Sequence, residues 1–209
     1  MAATLLAAGR GRRLGDVPKP ALRIHGESLF ERLVRALRQS GIGPISAVIG
    51  PYAPILLPLA RRCDVLVVAQ PEPAAALAAS QRLAVQHHRQ CQPGLDMLLL
   101  VADLPLLAAD DLAPVLRAWA SRPAGIEAQV PVVRGVRGHP VLLSWSAVQA
   151  VASQPEPLGV RDWLQTAAGV THMLETDRVA LVTDLDTPED LRALRARLPE
   201  GAIDDPPAR

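Results

Sequence analysis

The stretch "LLAAGRGRRLGDVPKPAL", residues 5–22, joins a short apolar run to a loop rich in glycine and arginine. The apolar run has the length and composition of a buried β-strand. Glycines let the backbone after it turn tightly and present N–H groups to an anion, and the arginines add positive charge. The stretch therefore predicts a strand that ends in an anion-binding loop, which is the usual first unit of an α/β fold.

Apolar runs of strand length alternate with segments of helical periodicity along most of the chain. The predicted strands span residues 3–8, 45–50, 64–69, 96–102, 126–133, 140–144 and 179–185. The predicted helices span residues 28–40, 73–90, 110–122, 159–169 and 187–198. Several strands are apolar throughout, as strands covered on both faces are. This order predicts an α/β layered domain with a mostly parallel sheet, in which ligands bind beyond the carboxyl ends of the strands.

The size and composition of the chain favour one globular domain. Its 209 residues, 49% of them hydrophobic, can bury one substantial core, which we expect within residues 1–198. The Pro-rich polar end, residues 199–209, is expected to be a mobile tail. A formal net charge of +1 and an aromatic content of 2% argue against nucleic acid as a partner.

Neither membrane insertion nor secretion is expected. No stretch of the sequence approaches the length of about 20 apolar residues that a membrane span needs. The first residues run from apolar to basic, which reverses the charge order of a secretory signal. Cys63 and Cys91 are too few for a disulfide framework and suit a reducing compartment. We therefore expect a cytoplasmic protein without a membrane partner.

Two common phosphate-binding motifs do not fit the glycine-rich stretch. A dinucleotide-binding motif needs a helix that opens directly from its glycines, and Pro18 and Pro20 interrupt such a helix. A P-loop needs lysine directly after its last glycine, whereas "DVPKP" follows Gly15. An arginine-rich solvated turn is the structural alternative. Lys19 is, however, the only lysine among 22 Lys and Arg residues, and its compact charge suits a crowded phosphate site better than a guanidinium does.

Aspartates follow two further apolar runs. Asp103 comes directly after the strand predicted at residues 96–102, and Asp184 and Asp186 lie at the end of "VALVTDL" and just beyond it. Carboxylates at strand ends are natural oxygen ligands for Mg²⁺, which usually takes one or two of them together with substrate phosphates. A turn or cap role explains Asp103 equally well, and Thr187 as a helix N-cap leaves Asp184 and Asp186 unexplained.

In this order, "LAAGRGRRLG" with "PK", "VADLP" and "DLDTPEDL" resemble the motifs of nucleotidyltransferases with the glycosyltransferase-A-like fold. The resemblance covers residues 3–198 and is greatest to the molybdenum cofactor cytidylyltransferases and their guanylyltransferase relatives. "LAAG", "RGHPVLLS" and "GVRDWLQ" are similar to the cytidylyl branch. The resemblance implies a Rossmann-like three-layer sandwich with a mostly parallel central sheet. It also implies Mg²⁺-dependent transfer of CMP from CTP to a phosphorylated acceptor, molybdopterin, with release of pyrophosphate.

The resemblance also implies roles for individual residues. The implied nucleotide-binding residues are Ala7, Ala8, Gly9, Gly11, Arg13, Lys19 and Ser80. Of the residues at the phosphates, Arg13, Lys19 and Asp103 are the implied catalytic residues. The implied Mg²⁺ ligands are Asp103 and Asp186, with Asp184 as the rival of Asp186. The implied acceptor-binding residues are Gly138, His139 and Pro140.

Other functions are compatible with the same motifs, because the motifs recognise the nucleotide and not the acceptor. The alternatives are guanylyl transfer to the molybdenum cofactor, transfer from another NTP to a sugar phosphate or phosphocholine, and a nucleotide-binding module without turnover. The segment "PEPAAALAASQR" retains only Ser80 of the small hydroxyl residues that relatives often carry there, so contacts to the base or ribose can differ. A molybdoenzyme or its assembly factor is the expected protein partner.

Overall fold

The computed structural model describes residues 1–72 and 76–204. In chain order its strands are β1 (Ala2–Ala7), β2 (Arg23–Ile24), β3 (Glu27–Ser28), β4 (Ile45–Ile49), β5 (Leu66–Ala69), β6 (Met97–Val101), β7 (Ala128–Val133), β8 (Val136–Arg137), β9 (Val141–Leu143), β10 (Thr171–Glu175) and β11 (Ile203–Asp204). Its α-helices are α1 (Leu29–Gln39), α2 (Ala53–Arg62), α3 (Leu77–Cys91), α4 (Ala109–Ala120), α5 (Trp145–Ala152), α6 (Val160–Thr166) and α7 (Pro188–Arg197).

A central sheet runs through the molecule in the strand order β10-β7-β9-β6-β1-β4-β5, and β8 pairs with β7. β1 lies between β4 and β6 and is parallel to both, with Leu5 paired to Ala47 on one side and Leu100 on the other. β9 is antiparallel to β6 and to β7. The predicted α/β fold with a mostly parallel central sheet is therefore confirmed.

Helices cover both faces of this sheet, which explains why its central strands are almost entirely apolar. Leu5 of β1 belongs to the core that α1, α2 and α4 cover, whereas its neighbour Leu6 belongs to the core beneath α3, α5 and α6. Successive side chains of a strand point to opposite faces, so covering both faces favours apolar residues at successive positions. The result is the predicted three-layer sandwich.

The prediction of a strand at residues 179–185 is wrong. Val179–Leu181 forms a turn of 3₁₀-helix, and the backbone oxygen of Leu181 accepts a hydrogen bond from the His139 N–H at 2.8 Å. The sheet position beside β7 is taken by β10, a strand that the hydrophobic pattern does not predict because its side chains are only partly buried. The apolar character of residues 179–185 reflects burial of Leu181 and Leu185 instead.

Part of the predicted C-terminal tail, residues 199–204, lies within the described structure and contacts the rest of the molecule. Ile203 and Asp204 form β11, which pairs with β2, and Ala202 is buried. These residues cover a small third core, named here the loop core, which contains Leu14, Leu22, Ile24, Leu29, Leu185 and Leu194. Two apolar residues in an otherwise polar segment suffice to dock it on this core. Residues 205–209 lie outside the described residues, as do residues 73–75 at the start of the predicted helix 73–90.

Within the described ranges 1–72 and 76–204, no helix combines the length and apolar character needed to cross a membrane.

Candidate functional site

A cavity of about 160 Å³ lies at the carboxyl ends of β1 and β6. Its lining includes six residues that the sequence predicts for nucleotide or metal binding: Ala7, Ala8, Gly9, Lys19, Ser80 and Asp103. Three segments far apart in sequence contribute to it: the end of β1 with its loop, the start of α3 and the end of β6. The parallel pairing of β1 with β6 brings two of these segments together, because parallel strands place their carboxyl ends at the same edge of a sheet.

The loop after β1, residues 9–18, is named here the glycine loop. Gly11 has φ of 61°, in the left-handed region, and a Cβ atom there would clash with the backbone oxygen of Val17. The Gly11 oxygen accepts hydrogen bonds from the N–H groups of Leu14 at 2.9 Å and Asp16 at 3.0 Å. Gly11 is not among the cavity-lining residues, so its observed part is to close the turn.

Lys19 joins the glycine loop to two acidic segments. Its Nζ atom lies 2.6 Å from Asp103 Oδ2 and 2.7 Å from Asp186 Oδ1. The Lys19 side chain is buried, with 8% of the residue exposed. Arg13 makes an ion pair with the second oxygen of Asp186 while most of its own side chain is exposed. The structure thus brings the predicted Arg13, Lys19, Asp103 and Asp186 into one charged cluster.

The cluster has a definite electrostatic state. Burial alone lowers the pKa of Lys19, but the charges and hydrogen bonds of Asp103 and Asp186 outweigh it and raise the pKa above its ordinary value. Lys19 is therefore a cation at neutral pH. Asp184 is exposed and makes no ion pair with Lys19. Despite this exposure, neighbouring protein atoms displace water from its carboxyl group, and this desolvation, followed by the charges of Asp186 and Asp103, raises the pKa of Asp184.

The start of α7 fixes the position of Asp186. The Asp190 carboxylate accepts hydrogen bonds from the N–H groups of Asp186 at 3.0 Å and Thr187 at 2.7 Å. The Leu185 N–H donates to the backbone oxygen of Asp103 at 3.0 Å, and the Leu185 side chain is fully buried in the loop core. Asp186 therefore faces Asp103 because a helix cap and a buried leucine hold its backbone on both sides.

The predicted acceptor-binding residues Gly138, His139 and Pro140 do not line the cavity. Gly138 packs so closely on the backbone of Leu181 that a Cβ atom would clash with it. The Nδ1 atom of His139 is buried and has no hydrogen-bond partner among the described residues. Burial lowers the pKa of His139, against the opposing charge of Asp103. In this structure Gly138 and His139 instead contact Leu181, in the segment that leads to Asp186.

Ser80 lies at the far side of the cavity, near the start of α3. Its hydroxyl accepts a weak hydrogen bond from the Gln70 side chain at 3.4 Å. The "GVR" segment at the start of α6 reaches the same helix, because Gly159 packs on Ala78 and Gln81 with no room for a side chain. The glycine of this sequence motif therefore allows α6 to lie against α3.

Tyr52 is a site residue that the sequence analysis misses. Its hydroxyl donates a hydrogen bond to the backbone oxygen of Arg10 at 2.8 Å and also contacts the backbone oxygen of Asp16. Both partners belong to the glycine loop. The available sequence signal is weak: Tyr52 is the only tyrosine and follows β4, the strand that pairs with β1.

The whole fold is similar to that of solved nucleotidyltransferases. A nucleotidyl transferase from Methanothermobacter thermautotrophicus matches with a TM-score of 0.73 and 20% identity, over 94% of this chain and 96% of that chain. A Mycobacterium tuberculosis H37Rv protein in complex with manganese matches with a TM-score of 0.69 and 20% identity, over 94% of this chain and 98% of that chain. At these identities the likeness shows a shared fold.

The family follows from the sequence match. Residues 3–173 match the family described as the MobA-like NTP transferase domain, and the chain belongs to this family of nucleotidyltransferases. The molybdenum cofactor cytidylyltransferase of Escherichia coli K12 is 25% identical over 143 residues, which is 68% of each chain. The bifunctional protein GlmU of Syntrophomonas wolfei is 26% identical over 125 residues, which is 59% of this chain and 27% of that protein. The chain thus spans about a quarter of GlmU.

Proposed function

We propose that this protein transfers CMP from CTP to the terminal phosphate of a molybdopterin-type acceptor and releases pyrophosphate. The observation that carries the proposal is the cavity at the ends of β1 and β6, where Lys19 and Asp103 lie beside the backbone of Ala7, Ala8 and Gly9. The 25% identity to a molybdenum cofactor cytidylyltransferase supports both the nucleotide and the acceptor.

The proposed reaction is an in-line nucleophilic substitution at the α-phosphorus of CTP. A phosphate oxygen of the acceptor forms a bond to the α-phosphorus of CTP, the bond from that phosphorus to the bridging oxygen breaks, and pyrophosphate leaves with the electron pair. Lys19 and Arg13 balance the negative charge of the triphosphate and of the leaving pyrophosphate. Catalysis of this kind relies mainly on positioning and on charge stabilisation, which fixed cations at a sheet edge supply.

The acidic residues fit a divalent cation. Oxygen atoms of Asp103 and Asp186 converge on one cation, the Lys19 ammonium, at 2.6 and 2.7 Å. Within the described part of the chain no group of three or more His, Cys, Asp or Glu side chains forms a closed metal centre. Two carboxylates completed by substrate phosphates are the arrangement that Mg²⁺ prefers. When bound, Mg²⁺ would be held by Asp103 and Asp186 and would neutralise negative charge on the triphosphate. The manganese complex of a protein with the same fold supports a divalent cation here.

A second function within the family is transfer from GTP or another NTP to a different phosphorylated acceptor. The observation that favours it is the alanine-rich start of α3, where Ser80 is the hydroxyl residue that lines the cavity. A nucleotide-binding module without turnover is less consistent with the site, because such a module needs no pair of facing carboxylates. A molybdoenzyme or its assembly factor remains our proposed partner, and the free cysteines Cys63 and Cys91 are consistent with our proposed cytoplasmic location.

Pyrophosphate release tests the proposal directly. The protein is incubated with Mg²⁺, molybdopterin and each of the four common ribonucleoside triphosphates in turn. We expect release with CTP that exceeds release with the other three nucleotides and that requires the acceptor. Equal release with all four nucleotides would remove the cytidylyl assignment, and release with a sugar phosphate but not with molybdopterin would replace the acceptor. Nucleotide binding without release in any mixture would leave only the binding module.

A further inference from the structure

The two ends of the glycine loop meet at one side chain outside it. The backbone oxygens of Arg10 and Asp16 both contact the hydroxyl of Tyr52, which is separated from them in sequence by 42 and 36 residues. A tyrosine hydroxyl has one proton to donate, so the two carbonyl groups share it. The side chains of Arg10 and Asp16 also approach each other, with Nε and Oδ1 at 3.6 Å.

We propose that Tyr52 is a positioning residue that holds the glycine loop in its nucleotide-binding shape before the nucleotide arrives. The inference rests on the proposed function. Two carbonyl oxygens that approach the same hydroxyl lie near each other and repel, and the proton that they share reduces this repulsion. Asp16 has φ of 58°, which is unfavourable for a residue other than glycine, so its backbone needs support from outside the loop.

Tyr52 is itself held firmly. It is 9% exposed, and its ring belongs to the core that α1, α2 and α4 cover. Its backbone oxygen accepts hydrogen bonds from the N–H groups of Ile55 and Leu56, each at 3.0 Å, in the first turn of α2. A buried ring at a helix start places its hydroxyl at a fixed point, so α2 and β4 provide the rigid support that the glycine loop lacks.

Mobility of the glycine loop lowers the apparent affinity for the nucleotide. A loop that is free to move spends only part of its time in the shape that accepts a triphosphate, and the apparent affinity falls by that fraction. Loss of the Tyr52 hydroxyl should therefore weaken nucleotide binding without changing the chemistry of a bound nucleotide. Because Lys19, Arg13 and the aspartates are untouched, turnover at saturating nucleotide should stay close to that of the wild type.

Tyr52→Phe tests the inference, because it removes one oxygen atom and keeps the buried ring. Hydrogen exchange of residues 9–18 is measured without nucleotide, and the Kd of a non-hydrolysable CTP analogue and the KM and kcat for CTP are measured separately. We expect faster exchange in the loop, a Kd and KM raised about fivefold, and an unchanged kcat. Ser153→Ala is the matched control, because it removes a hydroxyl that bonds to the Gln149 oxygen at 2.9 Å near the end of α5.

Two results would overturn the inference. Unchanged exchange in residues 9–18 would show that Tyr52 does not hold the loop, and faster exchange with unaltered Kd would show that its hold has no bearing on the nucleotide. A general loss of stability would instead speed exchange throughout the molecule and leave the Kd unchanged at temperatures well below unfolding. If the wild-type protein binds no nucleotide, the proposed function fails, and the exchange measurement still decides whether Tyr52 holds the loop.

Discussion

Lys19 occupies a place where a compact cation fits and a broad one does not. Its ammonium group lies within 2.7 Å of both Asp103 and Asp186, and 8% of the residue is exposed. A guanidinium carries its charge over a planar fork of three nitrogens and needs more room. The chain uses arginine at every other basic position, so the single lysine coincides with the most crowded cationic site in the described structure.

Lys19→Arg preserves charge and should still lose most of the activity. The longer, planar side chain displaces one of the two aspartates or leaves the buried site, and we expect pyrophosphate release to fall about 100-fold. Arg13→Lys is the control, because Arg13 is mostly exposed and has room for either cation. Circular dichroism establishes that both variants are folded. Near-normal release by Lys19→Arg would mean that only charge matters at this position.

Asp184 and Asp186, which the sequence leaves as alternative Mg²⁺ ligands, have different surroundings in the structure. Asp186 shares Lys19 with Asp103, whereas Asp184 is exposed and makes no ion pair with Lys19. We therefore expect Asp186→Asn to lose at least about 100-fold in pyrophosphate release. Asp184→Asn should reduce pyrophosphate release by less than about tenfold, because this substitution removes only a neighbouring charge. Mn²⁺ titration in the presence of a CTP analogue provides a second readout. If Asp184→Asn instead had the larger effect in both assays, Asp184 would be the metal ligand.

At the scale of elements, the site depends on the cap of α7. The Asp190 carboxylate bonds to the N–H groups of Asp186 and Thr187 and to the Thr187 hydroxyl, which keeps the pKa of Asp190 below its ordinary value. Asp190→Ala should lower the free energy of unfolding by about 1 kcal/mol, as loss of a helix cap does. It should also weaken turnover several-fold, because Asp186 loses its backbone support.

Urea unfolding and pyrophosphate release measure these two effects of Asp190→Ala. Glu189→Ala is the matched control in the same helix turn, since Glu189 makes only an exposed ion pair with Arg192, of the kind that contributes little. Equal effects of the two substitutions on unfolding, or a fully active Asp190→Ala protein, would show that the cap does not support the site.

Elements with uniform patterns could be predicted from the sequence, and those that depend on contacts could not. β6 is a continuous apolar run and β1 is interrupted by one polar residue, Thr4, so both strands and the position of Asp103 beyond β6 follow from the pattern. α2 contains Pro58 and begins next to Pro54, which conceals its periodicity. Residues 179–185 have a strand-like composition because Ala180, Leu181 and Leu185 are buried in the molecule, although the segment forms no strand. The wrong strand prediction did not affect the prediction of the site, because the buried Leu185 still holds Asp186 close to Lys19.

The same distinction applies to the candidate site. Some site residues are visible in the sequence alone, because each follows a recognisable strand. They are the loop glycines, the strand-end aspartates and the single lysine. Tyr52 is not visible in this way, because its partners lie 36 and 42 residues away and are backbone oxygens, which carry no sequence signature. Gly138 is a converse case: the motif was visible, but its close packing on Leu181 appears only in three dimensions.

At the scale of the whole molecule, local carboxylate contacts contribute to stability at acid pH. Glu27 and Glu31 flank the start of α1. Hydrogen bonds from Arg35 lower the pKa of Glu27. Burial tends to raise the pKa of Glu31, but hydrogen bonds from Ser28 and Arg62 outweigh it and lower the pKa. A carboxylate whose pKa is lower in the folded state stabilises the fold above its unfolded value of 4.5, and this stabilisation is lost as pH falls through the folded pKa.

The free energy of unfolding of the wild type should therefore decline as the pH is lowered from about 5 towards 3, and Glu31→Gln should reduce that decline. Glutamine keeps the cap at the start of α1 but does not titrate. The difference between the variants should be at most about 1 kcal/mol, because the Arg62 partner is half-exposed and solvent screens the pair. Urea unfolding across this pH range measures it, with Glu200→Gln, an exposed position, as the control. Parallel pH profiles for the wild type and Glu31→Gln would place the acid-sensitive contacts outside α1, since removal of this titrating group would then have changed nothing.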